Sequence, residues 1–200
     1  MLRAPLSTAH RRRPGSAVFP LVLTGLLLSG CGMTNDDTSE SPATNTSESG
    51  DSAPGIPHAG TAGTDEAVAA VKAVSSQIYD FIGVPGTASQ PGPGVKACSG
   101  KDPDKYFQVY HPWNFKPKSG ADNDVAMKNL KEKLGTGDWV IKSSYRDNSA
   151  NKNLNIVADN DSKKMSVWIV GYSKRDTPSI GIEVTSGCYR VPEGKTIEHS

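Results

Sequence analysis

The chain has no apolar run long enough to cross a bilayer, which takes about 20 residues. Its longest, Ala17 to Leu28, stops at 12 residues and is interrupted by Pro20, Thr24 and Gly25. Histidine is as scarce. His10, His58 and His199 lie towards the ends or in polar sequence, which leaves His111 alone inside the part with core-forming composition. One histidine excludes a His-rich metal centre and any HExxH arrangement. There is no G-x-S-x-G elbow, no P-loop and no dinucleotide-binding glycine pattern. The lysines are scattered over a chain of net charge +1, so no basic stripe marks a nucleic-acid partner. These absences leave no metal, no cofactor and no catalytic residue to expect.

What is present begins at the amino end. Arg3, Arg11, Arg12 and Arg13 form a positive region without an acidic residue, and the short apolar run follows. That order reads as a secretory signal over residues 1–30. Arg12-Arg13 also has the form of a twin-arginine export pair, but Pro14, Gly15 and Ser16 stand where apolar residues are expected. Both export routes stay open. The run ends in Leu28-Ser29-Gly30-Cys31, which resembles the lipobox of bacterial lipoprotein precursors. The resemblance implies cleavage between Gly30 and Cys31 and acylation of Cys31. One acyl chain binds a membrane marginally, at roughly 0.8 kcal/mol per buried methylene, whereas two chains hold stably.

Residues 31–63 read as the lipidated cysteine and an acidic Ser/Thr/Gly/Pro tether. Asp36, Asp37, Glu40, Glu48 and Asp51 are its only charges, and Met33 and Ile56 its only large apolar side chains. Such composition buries too little apolar surface to offset ordering entropy. A flexible coil of this length spans roughly 30 Å. Taking the four signal arginines and the five tether carboxylates from the overall +1 leaves +2 on residues 64–200, a normal size for one domain. Cys98 and Cys188 remain there. An even count in an exported protein predicts a disulfide.

In that domain, Thr64 is placed to cap a helix carrying Val71, Val74, Ile78 and Phe81 at helical spacing, with Gly83 and Pro85 as its stop. Tyr106 to Tyr110 reads as a strand ended by Pro112. Asp122 or Asp124 starts a second helix with Met127, Leu130 and Leu134 on its buried stripe, closed by Gly135. Four strands follow: Trp139 to Tyr145, Leu154 to Ala158, Met165 to Tyr172 and Ile180 to Val184. The order α-β-α-β-β-β-β predicts an α+β two-layer sandwich, a mostly antiparallel five-stranded sheet with two helices on one face. Cys188 shares the parity of Ile180, Ile182 and Val184 and is expected to point inward. A bridge to Cys98 then sets the first strand antiparallel beside the fifth, and parallel to the second.

The aromatic series Tyr106, Phe107, Tyr110, Trp113 and Phe115 is the one unusual concentration of side chains. Tyr106, Tyr110, His111 and Trp113 form a candidate binding surface, suited to carbohydrate or protein contact. Trp139 reads as core and Trp168 as half-exposed. Asp159-Asn160-Asp161 has calcium-loop spacing without the glycine and distant glutamate, and reads as a hairpin turn.

The lipobox, the acidic tether, the helix before Cys98, the strand ending at Trp113 and the closing Ser186-Gly187-Cys188-Tyr189 together resemble actinobacterial surface lipoproteins of the mycobacterial LppA-like kind. That resemblance implies attachment to the extracytoplasmic face of the cell membrane and carries over no catalytic residue. The chain is therefore expected to be a lipid-anchored, non-catalytic binding module. Its partners would be the membrane, through lipid on Cys31, and an envelope protein or cell-wall component. A lipid or small-ligand carrier is the alternative, and an envelope hydrolase using His111 with a carboxylate is a third reading. Labelled palmitate is expected to enter the wild-type protein and not Cys31→Ala; equal incorporation in both would exclude the anchor.

Overall fold

A computed structural model describes residues 58–199. The signal, Cys31 and most of the tether lie outside the described residues. The first described element, β1 (His58–Thr61), falls inside the stretch read as tether, so part of that stretch is a paired strand. β1 is poor in apolar side chains, but pairing needs only its backbone, which composition does not report. It runs parallel to a short final strand, β9 (Cys188–Arg190), and the Ala62 amide extends the ladder to the Arg190 carbonyl at 3.0 Å.

Helix α1 (Thr64–Ile82) buries Ala67, Val71, Val74, Ser75, Ile78 and Ile82, a stripe at three- and four-residue spacing. Asp65 and Glu66 sit in its first turn, where the helix dipole favours negative charge, and Gly83 closes it in the left-handed conformation at φ 64°. Thr64 does not cap it. Its hydroxyl instead accepts the Glu198 amide at 3.1 Å and fastens the carboxyl-terminal segment to the helix start.

Two short strands, β2 (Gly86–Ala88) and β3 (Gly94–Ala97), pair with the long β4 (Tyr106–Pro117) along one of its edges. β4 thus continues through Pro112, which was expected to end it. The reason lies in which edge the missing N–H faces. Ser89 donates its amide to the Asn114 carbonyl at 2.8 Å, and Asn114 donates its own to Ser89 Oγ at 2.9 Å. Even-numbered β4 residues therefore turn their backbone groups towards the β2 and β3 side. Pro112 falls in the interval there between Tyr110, where β3 pairing ends, and Phe115, where β2 pairing begins. No ladder bond is lost.

Helix α2 (Asp122–Lys133) follows, with Asn123, Ala126, Met127 and Leu130 buried and Leu134 buried just beyond it. An antiparallel meander completes the sheet: β5 (Trp139–Arg146), β6 (Leu154–Asn160), β7 (Met165–Tyr172) and β8 (Ser179–Ser186). The order β1-β9-β4-β8-β7-β6-β5 makes a large mixed sheet with two helices, an α+β fold. The five predicted strands are all present, and β4 pairs antiparallel with β8 as expected. The four added strands are three or four residues each, below the length at which alternation is legible.

Both helices pack against β4 and β8, and α2 also packs on β7. At Gly171 a Cβ would lie 2.8 Å from Met127 Cγ, so a larger residue there would push the Met127 side chain of α2 aside. Phe107, Val109, Trp113 and Phe115 of β4 enter this core with Ile156, Ile169, Ile180 and Val184 from the other strands.

The disulfide joins Cys98, just after β3, to Cys188 at the start of β9, with Cα atoms 6.0 Å apart. The two ends belong to strands on opposite edges of β4. Closing a loop of this length contributes about 4–5 kcal/mol on the chain-entropy model. Cys188 is buried but does not share the face of Ile180, Ile182 and Val184, which parity had predicted. The β4–β8 register joins Tyr110 to Thr185, whereas β4–β9 joins Phe107 to Tyr189. That one-residue slip around Gly187 is a bulge, and it flips every later side chain. Tyr189 thereby stacks on Phe107 in the core, and Cys188 turns to the helix-free face.

The β5–β6 hairpin is closed by one carboxylate. Asp147 Oδ1 accepts the amides of Ser149 (3.1 Å) and Asn153 (3.0 Å), and Oδ2 accepts Asn153 Nδ2 at 2.9 Å. These bonds, led by those from the Ser149 and Asn153 side chains, hold the Asp147 pKa down at about 2. A depressed carboxylate stabilises above its unfolded value, near 4, and loses that contribution as pH falls through about 2. Amide exchange at Asn153 is expected to accelerate between pH 4 and pH 2 beyond the intrinsic trend, and to lose this step in Asp147→Asn. An unchanged profile in the variant would refute the assignment.

Candidate functional site

The aromatic surface read from the sequence divides between two faces. Along β4 the odd-numbered side chains face the helices. Trp113 is 5% exposed in the core, against Tyr79 of α1 at 6.3 Å between ring centres. His111 points the same way. Tyr106 and Tyr110 stand on the opposite face, beneath the ammonium groups of Lys101 and Lys96. Strand alternation separates what adjacency in the sequence had grouped.

On the helix side, His111 lines a groove of about 390 Å³ with Lys72, Ser75, Tyr79, Ser89 and Pro91. Both ring nitrogens have partners: the Pro91 carbonyl lies 2.9 Å from Nε2 and Ser75 Oγ lies 2.8 Å from Nδ1. A carbonyl only accepts, so Nε2 carries a proton and donates it to the Pro91 carbonyl, while Nδ1 shares its hydrogen bond with the Ser75 hydroxyl. A serine, a histidine and a carbonyl in line resemble a nucleophile relay only on paper. Ser75 is 5% exposed in mid-helix, and among the described residues no carboxylate bonds the ring. The contact instead ties α1 to β4 and to the segment between β2 and β3.

Among the described residues, the opposite face of the sheet carries no helix. Register places three rows side by side across β7, β8 and β4. Trp168 lies beside Glu183 and Pro112, and Val170 beside Gly181 and Asn114. Tyr172 lies beside Ser179, and continuing β4 by two residues brings Lys116 to the same row. The rows span roughly 14 Å at about 3.4 Å per residue. Trp168 is 49% exposed, and its indole N–H is fixed by Asn155 Oδ1 at 3.0 Å. The polar edge is satisfied within the sheet, so the exposed part of Trp168 is ring. Gly181 leaves the middle row low; a Cβ there would stand 3.2 Å from the Tyr172 ring and 3.6 Å from Asn114 Oδ1.

This furrow holds about 350 Å³ and adjoins a second space of about 450 Å³ that shares Ser89 and Asn114 with it. Lys116 and Arg175 line the second space. The Arg175 guanidinium lies flat over Tyr172, 3.6 Å from the ring centre, and neither cation has an ion-pair partner among the described residues. Glu183 accepts the Thr185 hydroxyl at 3.3 Å through one oxygen. The Asn114 side-chain amide bonds to nothing in the described residues, because only its backbone engages Ser89.

Of the residues singled out from the sequence, only Trp168 and Pro112 reach this furrow by side chain. Gly181, Glu183, Asn114 and Arg175 were not expected there. Alternation places Tyr172 beside Trp168 on one face, but the partners from β8 and β4 depend on register. Among the described residues no group of three or more His, Cys, Asp or Glu side chains could hold a metal ion, and no helix is long and apolar enough to cross a membrane. Comparison with protein-family models, with curated proteins and with solved structures finds no match.

The helix-side contact has a direct test. Ser75→Ala and His111→Ala are each expected to cost about 1 kcal/mol in urea unfolding, with the double variant costing less than the sum. A fluorophosphonate probe is expected to leave Ser75 unmodified; labelling of Ser75 would make it a nucleophile.

Proposed function

We propose that the protein is a lipid-anchored, extracytoplasmic binding module of the cell envelope, and that the helix-free furrow is its contact surface. The anchor rests on the lipobox ending at Cys31 and on the similarity in layout to LppA-like actinobacterial lipoproteins. The contact surface rests on one observation: a tryptophan half in solvent whose N–H is already bonded inside the sheet. A large aromatic ring held rigidly at the surface loses little entropy on binding, and such rings recur at the centres of recognition sites.

The carrier reading needs a hollow between helices and sheet. Ile78, Phe107, Phe115, Leu130 and Ile169 fill that layer, each less than 2% exposed. The hydrolase reading needs a carboxylate on His111, whose two nitrogens are taken by Ser75 and Pro91. Binding without chemistry uses the furrow as it stands.

A photoreactive benzoylphenylalanine in place of Trp168 is expected to form covalent adducts in intact cells, and one in place of Val125, exposed on α2, is expected not to. Equal yields from both positions would count against the sheet face as the contact surface.

A further inference from the structure

We infer that the furrow takes an acidic polysaccharide, with one sugar ring lying on Trp168 and a carboxylate further along the chain meeting Arg175 and Lys116. This rests on the binding-module reading and names its ligand class.

Four features lead there. The first is shape: two spaces joined at Ser89 and Asn114 make an elongated trough rather than a closed pocket, which suits a linear polymer. The second is the floor. Val170, Gly181 and Pro112 are apolar or bare, and Trp168 offers a fixed ring face beside them. The apolar face of a sugar ring can lie flat on such a surface. The third is the rim. Asn114, with a side-chain amide unbonded in the described residues, and Glu183, with one oxygen unused, are planar groups able to take the donors and acceptors of vicinal hydroxyls.

The fourth is charge. Among the described residues Glu183 is the only acid lining the two spaces, at the Trp168 end, while Arg175 and Lys116 stand together at the other. Stacking on Tyr172 holds the guanidinium fork flat, so little freedom is lost when it engages a carboxylate by two parallel bonds. The distance from the Trp168 row to the Tyr172 row, roughly 14 Å, separates the stacked ring from the acid. A single charged monosaccharide is too short to use both ends.

Full-length protein in detergent micelles is to be titrated calorimetrically with hexagalacturonate, with maltohexaose and with phosphatidylglycerol vesicles. Saturable binding of hexagalacturonate, at least tenfold tighter than maltohexaose and weaker at 300 mM than at 50 mM salt, is expected, the salt response following from the exposed charges. Arg175→Ala should weaken it about tenfold and flatten the salt dependence. Trp168→Leu, which keeps apolar cover over the sheet, should weaken both sugars about equally. Both altered residues are exposed, and a cooperative thermal transition in each variant confirms folding; Asn114→Ala, also on the surface, gives an independent measure of the rim. Equal affinity for the two sugars, or no effect of Arg175→Ala, overturns the inference. So does Arg175-dependent binding to vesicles with neither sugar bound. Adducts from position 168 in cells, with no sugar binding in the calorimeter, would remove the polysaccharide and leave the contact surface standing.

Discussion

Strand β4 is the constraint on which the rest depends, because it is paired along both edges. β8 and β9 lie along one side and β2 and β3 along the other, and its two faces carry different tasks. Phe107, Val109, Trp113 and Phe115 build the core on one face; Pro112 and Asn114 line the furrow on the other. The disulfide crosses the same strand from the end of β3 to the start of β9. A proline within it is admissible only because the uncovered interval between β2 and β3 coincides with the missing donor.

The sequence makes the long elements legible because burial imposes a period on them. The α1 stripe, the α2 stripe and the β5 to β8 meander all follow from spacing, whereas the pairing of β4 with β8 was expected from the Cys98–Cys188 bridge. β1, β2, β3 and β9 do not, since three or four residues carry no period and their bonds are backbone bonds. The bulge at Gly187 was illegible for another reason. A single unpaired residue changes the parity of Cys188 without altering any side chain near it. The furrow is a matter of register: Trp168 and Glu183 are 15 positions apart in the chain and become neighbours only through the β7–β8 pairing. No local pattern encodes that adjacency.

The two faces of the sheet also explain why a sparse sequence can still present a rigid aromatic surface. The apolar residues suffice for one core, and the helices cover one side of the sheet. The far side is left with a few large side chains, each stabilised by a local partner: Trp168 by Asn155, Tyr172 by Arg175, Tyr110 by Lys96. Aromatic surface held in this way keeps its orientation without a second layer over it. His111 plays the opposite part on the helix side, where both of its nitrogens are spent on joining elements.

The parallel pairing of β1 with β9 has a mechanical meaning. A membrane-held leash would deliver its tension at His58, and the register partner of His58 is Cys188. The load therefore passes, within one residue pair, onto a strand that is covalently cross-linked to the far side of β4. Pulled along its length, β1 shares the strain across its whole ladder in shear instead of unzipping bond by bond. A cargo held in the furrow would load the same sheet through β4 and β8. In the proposed role the fold would act as a short coupling between leash and cargo, with the Cys98–Cys188 disulfide at the point where the leash would be fastened.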